Sequence, residues 1–126
     1  MASSDNGELR VYAVRLAVSA GREIAEEHGR LTSQISPKTA NDWRSGLLDS
    51  VRTLATLPER CAVAPEDNLF QGDTIRQLLH RRKSGPTWRI LFVVHEADEN
   101  DPALVKVHHI RHGAQAPMTE WPEEDE

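Results

Sequence analysis

Hydrophobic positions in the first part of the chain change from a two-residue period to a helical one. Residues 9–18 are β-prone, and their larger apolar side chains fall on one face by alternation, which predicts a half-buried strand. That face consists of Tyr12, Val14, Leu16 and Val18. From about Ser19 onward, the apolar spacing is that of an amphipathic helix with one buried stripe. The stripe consists of Ile24, His28, Leu31 and Ile35.

A second amphipathic helix is predicted to begin at Ser36-Pro37. Serine is a favoured N-cap, and proline suits the first helical position because its missing N–H would have no partner there. The apolar stripe of this helix extends toward Pro58 and consists of Trp43, Leu47, Val51 and Leu54. Two amphipathic helices joined by a short turn form a helical hairpin.

Three β-prone segments follow a loop at residues 58–73 that is rich in proline, glycine and acidic side chains. The middle segment is apolar on both faces apart from Arg89 and His95, as is typical of a central strand. Short turns between the segments favour an antiparallel meander. The segments cover residues 75–82, 88–95 and 104–111, with turns at 83–86 and 97–102.

The order β-α-α-β-β-β predicts an α+β fold. We expect the helical hairpin to pack on one face of a mainly antiparallel four-stranded sheet and the other face to stay partly open. The chain is short enough to form a single domain. We place this domain at residues 9–115, between a flexible N-terminus at 1–8 and an acidic C-terminal tail at 116–126.

The net charge of −5 is concentrated at the C-terminus, where five of the last seven residues are acidic. Without them the body is neutral, so charge neither supports nor excludes a nucleic-acid partner. The tail is interpreted either as a solvated end or as an electrostatic lid that competes with phosphate for a basic face. The single cysteine, Cys61, allows no intramolecular disulfide, and no apolar run is long enough for a membrane helix. We expect a soluble, cytoplasmic protein without membrane contacts.

Each of the three later strands carries an arginine, namely Arg76, Arg89 and Arg111. If they converge on the open face, they could bind a phosphate backbone or a run of carboxylates. Each also has a structural interpretation: Arg89 could bond backbone carbonyls or a carboxylate, and Arg76 could pair with an acidic residue of the 57–73 loop. Arg60 could complement the end of the second helix.

A metal site is not expected at the histidines near the chain's end. On a strand, His108 and His112 lie about 13 Å apart, and His109 points to the opposite face. No glycine-rich phosphate loop, dinucleotide fingerprint or serine-nucleophile turn occurs, so no cofactor is expected either.

Four motifs in this order resemble the RelE/ParE superfamily, the toxin halves of bacterial type II toxin–antitoxin pairs. The resemblance covers roughly residues 10–115 and implies a compact α+β toxin neutralised by a cognate antitoxin whose C-terminal segment wraps around it. The matching residues are Leu57-Pro58-Glu59-Arg60, Ile75-Arg76-Gln77-Leu78-Leu79, Trp88-Arg89-Ile90-Leu91-Phe92 and Val107-His108-His109-Ile110-Arg111-His112-Gly113.

The resemblance implies one of two activities. RelE-like members are ribosome-dependent endoribonucleases that cut mRNA, a role in which His112 would move a proton. The spacing does not select a second proton-transfer group among Glu59, Glu66, His80 and His108. The phosphate-binding cations would then be Arg60, Arg76, Arg89 and Arg111. ParE-like members inhibit DNA gyrase and lack the ribonuclease residues.

The departures from the RelE-like pattern favour the ParE-like activity. Tyr12 is the only tyrosine, whereas RelE-like nucleases commonly carry one near the C-terminus, and the loop from Leu57 to Asp73 contains no lysine. The ending Gly113-Ala114-Gln115 is also closer to ParE-like members. A third possibility is a detoxified module that keeps the fold to bind an antitoxin or to regulate, motivated by the acidic tail and the neutral body.

Overall fold

A computed structural model describes residues 10–69, 72–81 and 85–121 of the chain. The predicted flexible N-terminus, residue 9, the first half of the turn at 83–86 and the last five residues of the predicted tail lie outside the described residues. Three short 3₁₀ turns, Thr53–Ala55, Pro58–Arg60 and Pro65–Leu69, follow the second helix. The helices and strands are β1 (Ala13–Leu16), α1 (Val18–Gln34), α2 (Pro37–Arg52), β2 (Ala62–Val63), β3 (Ile75–Arg81), β4 (Thr87–His95) and β5 (Leu104–His112).

The strands form one sheet in the order β1-β5-β4-β3-β2, in which β1 runs parallel to β5 and all other neighbours are antiparallel. This confirms the predicted α+β class, the helical hairpin and the mainly antiparallel sheet. The number of strands is five rather than four, because Ala62–Val63 pairs with β3. A two-residue strand is too short to show a period, so the pattern could not predict it.

The helical hairpin forms as predicted, with small differences at its ends. The Ser36 hydroxyl accepts the Thr39 N–H at 3.0 Å, which confirms the N-cap. The predicted stripe of α2 is buried from Trp43 to Leu54, although α2 itself ends at Arg52 and continues as a 3₁₀ turn. The α1 stripe is buried at Ile24 and Leu31, but it is wrong at His28, whose ring contacts Asn41 near the surface, and at Ile35, which is 62% exposed because it lies at the C-cap.

The first strand is shorter than predicted. Tyr12, Val14 and Leu16 pack on the core between the helices and the sheet, but Val18 is exposed and opens α1. The Ala17 N–H donates to the Val107 carbonyl at 2.8 Å, the last main-chain bond to β5, and α1 begins at the next residue.

Hydrophobic residues are buried on both faces of the sheet. The larger core lies between the sheet and the hairpin and includes Trp43, Trp88 and Phe92. On the opposite face lies a smaller cluster, on which Met118 and Trp121 pack. Its buried members are Ala64, Ile75, Leu91 and Val93. The face that the sequence predicts to be partly open is therefore covered in part by residues that follow β5.

A β-bulge in β5 sets which side chains reach each face. Leu91 is opposite His109 but its neighbour Phe92 is opposite Val107, so His108 is the extra residue. The shift lets Val107 and Ile110 share the helix-facing core although they are an odd number of residues apart. No helix within the described ranges is long and apolar enough to cross a membrane.

Candidate functional site

The strand register brings two of the predicted arginines together and excludes the third. Arg89 on β4 lies directly opposite Arg111 on β5, so both project from the face away from the helices. Arg76 lies opposite Phe92, which belongs to the helix-facing core. The expectation that all three arginines converge is wrong for Arg76, because adjacent strand positions alternate between faces.

Arg89 is buried in an ion pair with Glu66, which the 3₁₀ turn Pro65–Leu69 supplies. Its Nη1 and Nη2 donate to the two Glu66 carboxylate oxygens at 3.0 and 2.6 Å, and its Nε donates to Gln77 Oε1 at 2.9 Å. Burial alone would raise the pKa of Glu66, but hydrogen bonds from Arg89 and from the Met118 N–H outweigh it and lower the pKa. The Arg89 charge is thus compensated inside the protein.

Arg60 and Arg76 bind main-chain carbonyls near the end of α2. The Arg60 guanidinium donates to the carbonyls of Thr56 and Leu57 at 2.9 and 3.0 Å. Arg76 Nη1 donates to the Cys61 carbonyl at 2.8 Å rather than to a carboxylate. Through these hydrogen bonds, both arginines stabilise the segment that connects α2 to β2.

His112 stands at the end of β5 with its ring edge-on to Trp88, at 5.1 Å between ring centroids. The Ala114 N–H donates to His112 Nδ1 at 3.0 Å, so the neutral imidazole carries its proton on Nε2. The next residue, Gly113, approaches β4 closely, and its N–H donates to the Thr87 carbonyl at 2.7 Å. A Cβ on Gly113 would lie 2.7 Å from that same oxygen, so only glycine allows this approach.

Two surface clefts meet at His112. One, of about 490 Å³, is lined by Leu79, Arg81, Arg89 and the turn after β5. Arg81 was not among the predicted site residues, although it lies on the same strand as Arg76 and its odd position places it on the Arg89 face. The second cleft, of about 680 Å³, lies between β5 and α1. It combines Trp88, Arg111 and Gln115 with an acidic row on α1, namely Glu23, Glu26 and Glu27.

Glu23 is an acidic residue that the sequence did not single out. Its Oε1 accepts the Ile110 N–H at 2.8 Å, and its Oε2 lies 3.0 Å from His109 Nδ1. β1 has already left the sheet at this point, so the carboxylate takes the place of a neighbouring strand along the edge of β5.

Residues 113–121 cross the face that carries Arg89 and Arg111. The Met118 N–H donates to Glu66 Oε2 at 2.9 Å, and Arg111 Nη2 donates to the Ala116 carbonyl at 2.8 Å. The Trp121 ring packs against His108 and His109, with centroids 5.5 and 4.8 Å apart. The described part of the predicted tail, residues 116–121, is therefore packed on the sheet.

The sequence matches no protein-family model and no curated protein. The fold does match a solved structure, a chain of the chromosomal ParDE TA system from P. aeruginosa, with a TM-score of 0.60 and 14% identity. The match covers 82% of this chain and 97% of that chain. The chain has the RelE/ParE-like fold. This confirms the fold that the four motifs implied, and at this identity the likeness concerns the fold alone.

On this RelE/ParE-like scaffold, His112 is the only histidine or acidic residue among the described residues that line the cleft with Arg81 and Arg89, whereas the second cleft places His112 beside the glutamates of α1. Metal-independent RNA cleavage needs a base, an acid and cations beside the phosphate. His112 lines both clefts, but Glu66 is committed to Arg89, and His80 bonds Ser50 on the helix side at 2.8 Å. Within the described ranges, no three histidine, cysteine or acidic side chains are grouped as metal ligands.

Proposed function

We propose that this chain is the toxin component of a type II toxin–antitoxin module and is neutralised by a cognate antitoxin. The observation that carries the proposal is the fold match to nearly the whole of a chain from a ParDE TA system. The four motifs that resemble the RelE/ParE superfamily support it independently, because they occur in the family's order. Both targets considered below act in the cytoplasm, where the proposal places this protein.

Within this proposal, the ParE-like mode, inhibition of DNA gyrase, agrees best with the geometry. A nuclease needs arginines that are free to hold a phosphate, yet Arg89 is compensated by Glu66, and Arg60 and Arg76 bind carbonyls. The proton on His112 Nε2 also leaves no lone pair on that nitrogen to take a proton from a 2′-hydroxyl. Arg111, half-buried beside the clefts, is the predicted arginine that we assign to contact with a partner.

The alternative is a RelE-like, ribosome-dependent ribonuclease. One observation favours it: the cleft beside His112 also contains Arg81, so a cation and an imidazole share one surface. In that mode Arg81 and Arg111 would hold the scissile phosphate, and His112 would donate a proton from Nε2 to the departing 5′-oxygen.

A third candidate is the detoxified module, which would bind an antitoxin without a toxic activity. Residues 116–121 support it, because they occupy the sheet face and use the Ala116 carbonyl to bind Arg111. Such a protein would accumulate in a folded form without slowing growth.

The deciding experiment is paired pulse-labelling in a bacterium after induction of this chain alone, following methionine and thymidine incorporation together. An early fall in thymidine incorporation with continued translation supports gyrase inhibition, whereas an early fall in methionine incorporation supports mRNA cleavage. If neither falls while folded protein accumulates, the toxin proposal is wrong and the detoxified module is favoured.

His112→Gln separates the two toxic modes within the same assay. The ParE-like mode predicts unchanged toxicity for this variant, and the nuclease mode predicts its loss. His28→Gln is the matched control, because His28 lies on α1, where its Nε2 contacts Asn41 Oδ1 at 2.8 Å on the surface. Supercoiling by purified gyrase and cleavage of message on programmed ribosomes then identify the target directly.

A further inference from the structure

The chain crosses one face of its own sheet with residues 116–121, which we call the C-terminal strap. Two side chains anchor the strap: Met118 and Trp121 pack on the apolar cluster of Ile75, Leu91 and Val93. Two main-chain groups are also engaged, the Met118 N–H by Glu66 and the Ala116 carbonyl by Arg111. These contacts combine apolar anchors with main-chain recognition, as in the binding of an extended peptide.

The strap differs from the elements around it in how it is held. It contains neither helix nor strand, so it contributes no ladder of backbone hydrogen bonds to the sheet. The turn before it is held by hydrogen bonds between main-chain groups, from Gly113 N–H to Thr87 O at 2.7 Å and from Gln115 N–H to His112 O at 3.0 Å. Segments held mainly by side chains open locally at lower cost than core strands. The strap can therefore leave the face while the turn at 113–115 and the sheet stay in place.

Opening of the strap would uncover a defined surface. It would expose an apolar platform around Leu91, a free hydrogen-bonding site on Arg111, and one oxygen of Glu66 that would still accept from Arg89. Apolar surface of this kind, bordered by charged groups, is typical of an interaction site.

We propose that this face is a peptide-binding surface and that the C-terminal strap is its intramolecular occupant. A partner would present an extended segment with two bulky apolar side chains three residues apart, as Met118 and Trp121 are, and would have to displace the strap. This inference stands on the contacts of the strap and does not depend on the toxin proposal.

The covalent link makes the strap a strong competitor. A segment tethered by a short linker acts at an effective concentration on the order of millimolar. A peptide with the same contacts, added at micromolar concentration, therefore binds only when the strap has been weakened. A natural partner must accordingly make contacts that the strap lacks.

The test uses a fluorescent synthetic peptide with the sequence of residues 114–126 and full-length protein. We expect no binding to the wild-type chain up to about 100 µM peptide. The double variant Met118→Ala/Trp121→Ala should bind the peptide at least about tenfold more tightly, because its own strap no longer fills the face. Thr119→Ala/Glu120→Gln is the matched control, since both residues are exposed in the same strap, and it should behave as wild type.

Fluorescence anisotropy measures the affinities, and a peptide with alanine at the two anchor positions should bind none of the proteins. Equal binding of the peptide to wild type and double variant, or no binding to either folded protein, would overturn the proposal.

Hydrogen exchange gives a second measurement, made first on the wild-type protein. In the wild-type protein, the Met118 amide should be protected, yet exchange at least about tenfold faster than the amides of β4, because it opens with the strap alone. The proposal fails if the Met118 amide exchanges only together with β4. In the double variant, β4 must keep its protection while Met118 loses it, which also shows that the variant is folded.

Discussion

Arg89 and Glu66 form a bidentate ion pair between β4 and the 3₁₀ turn Pro65–Leu69, with both side chains almost fully buried. The pair links two parts of the chain that are 23 residues apart. The same carboxylate also receives the Met118 N–H, so a single side chain joins the turn, the central strand and the C-terminal strap. Of the two interpretations that the sequence allowed for Arg89, the structure shows the pairing with a carboxylate.

Glu66→Gln should lower the free energy of unfolding by about 3 kcal/mol, because it leaves the Arg89 charge buried without its counter-charge. Urea denaturation of the purified protein measures the difference. Asp49→Asn is the matched control, since it breaks the exposed pair with Arg52 and should cost less than about 1 kcal/mol. Equal effects of the two substitutions would mean that burial does not determine the strength of the Arg89–Glu66 pair.

The Glu66 carboxylate should also make the free energy of unfolding depend on pH in the acidic range. The pKa of Glu66 is lowered in the folded protein from its ordinary value of 4.5, so its contribution is complete above that value. It is lost as the pH falls through the lower, folded-state pKa, because the unfolded chain then binds the proton more readily. Thermal melts from about pH 7 to about pH 3 should therefore show wild type and Glu66→Gln converging at low pH. A constant difference between them across that range would contradict this assignment.

The helices were largely predictable from the sequence because their determinants are local. The Ser36-Pro37 start and the stripe from Trp43 to Leu54 depend on spacing within a few residues, and the structure has both. The ends were less predictable. Val18 and Ile35 continue an apolar pattern past the point where strand pairing or helix geometry stops, so the pattern alone assigned them to buried faces.

The site was less predictable, because it depends on partners far away in the sequence. The arginines of the strands were visible, but the side of the sheet that each occupies follows from the register, which placed Arg76 opposite Phe92. Glu66 lies in a segment with no period, and nothing nearby in the sequence marks it as the partner of Arg89. The packing of Trp121 on His109 likewise depends on the β-bulge, which no local pattern announces.

Glu23→Ala should destabilise the protein by about 2 kcal/mol, because it leaves the Ile110 N–H at the edge of β5 without an acceptor. Glu23→Gln should restore most of that loss, since its amide oxygen can still accept the N–H. Glu26→Ala is the control on the same helix, because Glu26 is exposed. Urea denaturation of the three variants provides the comparison. If Glu23→Gln loses as much stability as Glu23→Ala, the charge rather than the hydrogen bond stabilises this edge.

Arg60→Ala should reduce stability by about 1 kcal/mol and leave toxicity unchanged, because the Arg60 guanidinium binds carbonyls and the Thr53 hydroxyl near its own turn. Arg111→Ala should do the opposite, with a small effect on unfolding and a loss of toxicity, since we assign Arg111 to a partner contact. Growth after induction and urea denaturation measure the two properties on the same proteins. A toxic Arg111→Ala variant would remove Arg111 from the site.

Leu57→Gly should stabilise the protein by less than about 1 kcal/mol, because relief of backbone strain is partly offset by the unfolded-state freedom that glycine gains. Leu57 is the one non-glycine residue with positive φ in the described ranges, at φ 49° and ψ 50°, a conformation that costs a leucine about 1 kcal/mol and costs glycine almost nothing. Its side chain is 58% exposed, so little packing is lost. Thr56→Gly, at φ −127° and ψ 136°, is the neighbouring control and should destabilise, because glycine gains only unfolded-state freedom there. Urea denaturation should therefore give opposite signs for the two variants, and a loss of stability in both would mean that the Leu57 side chain contributes more than its backbone strain costs.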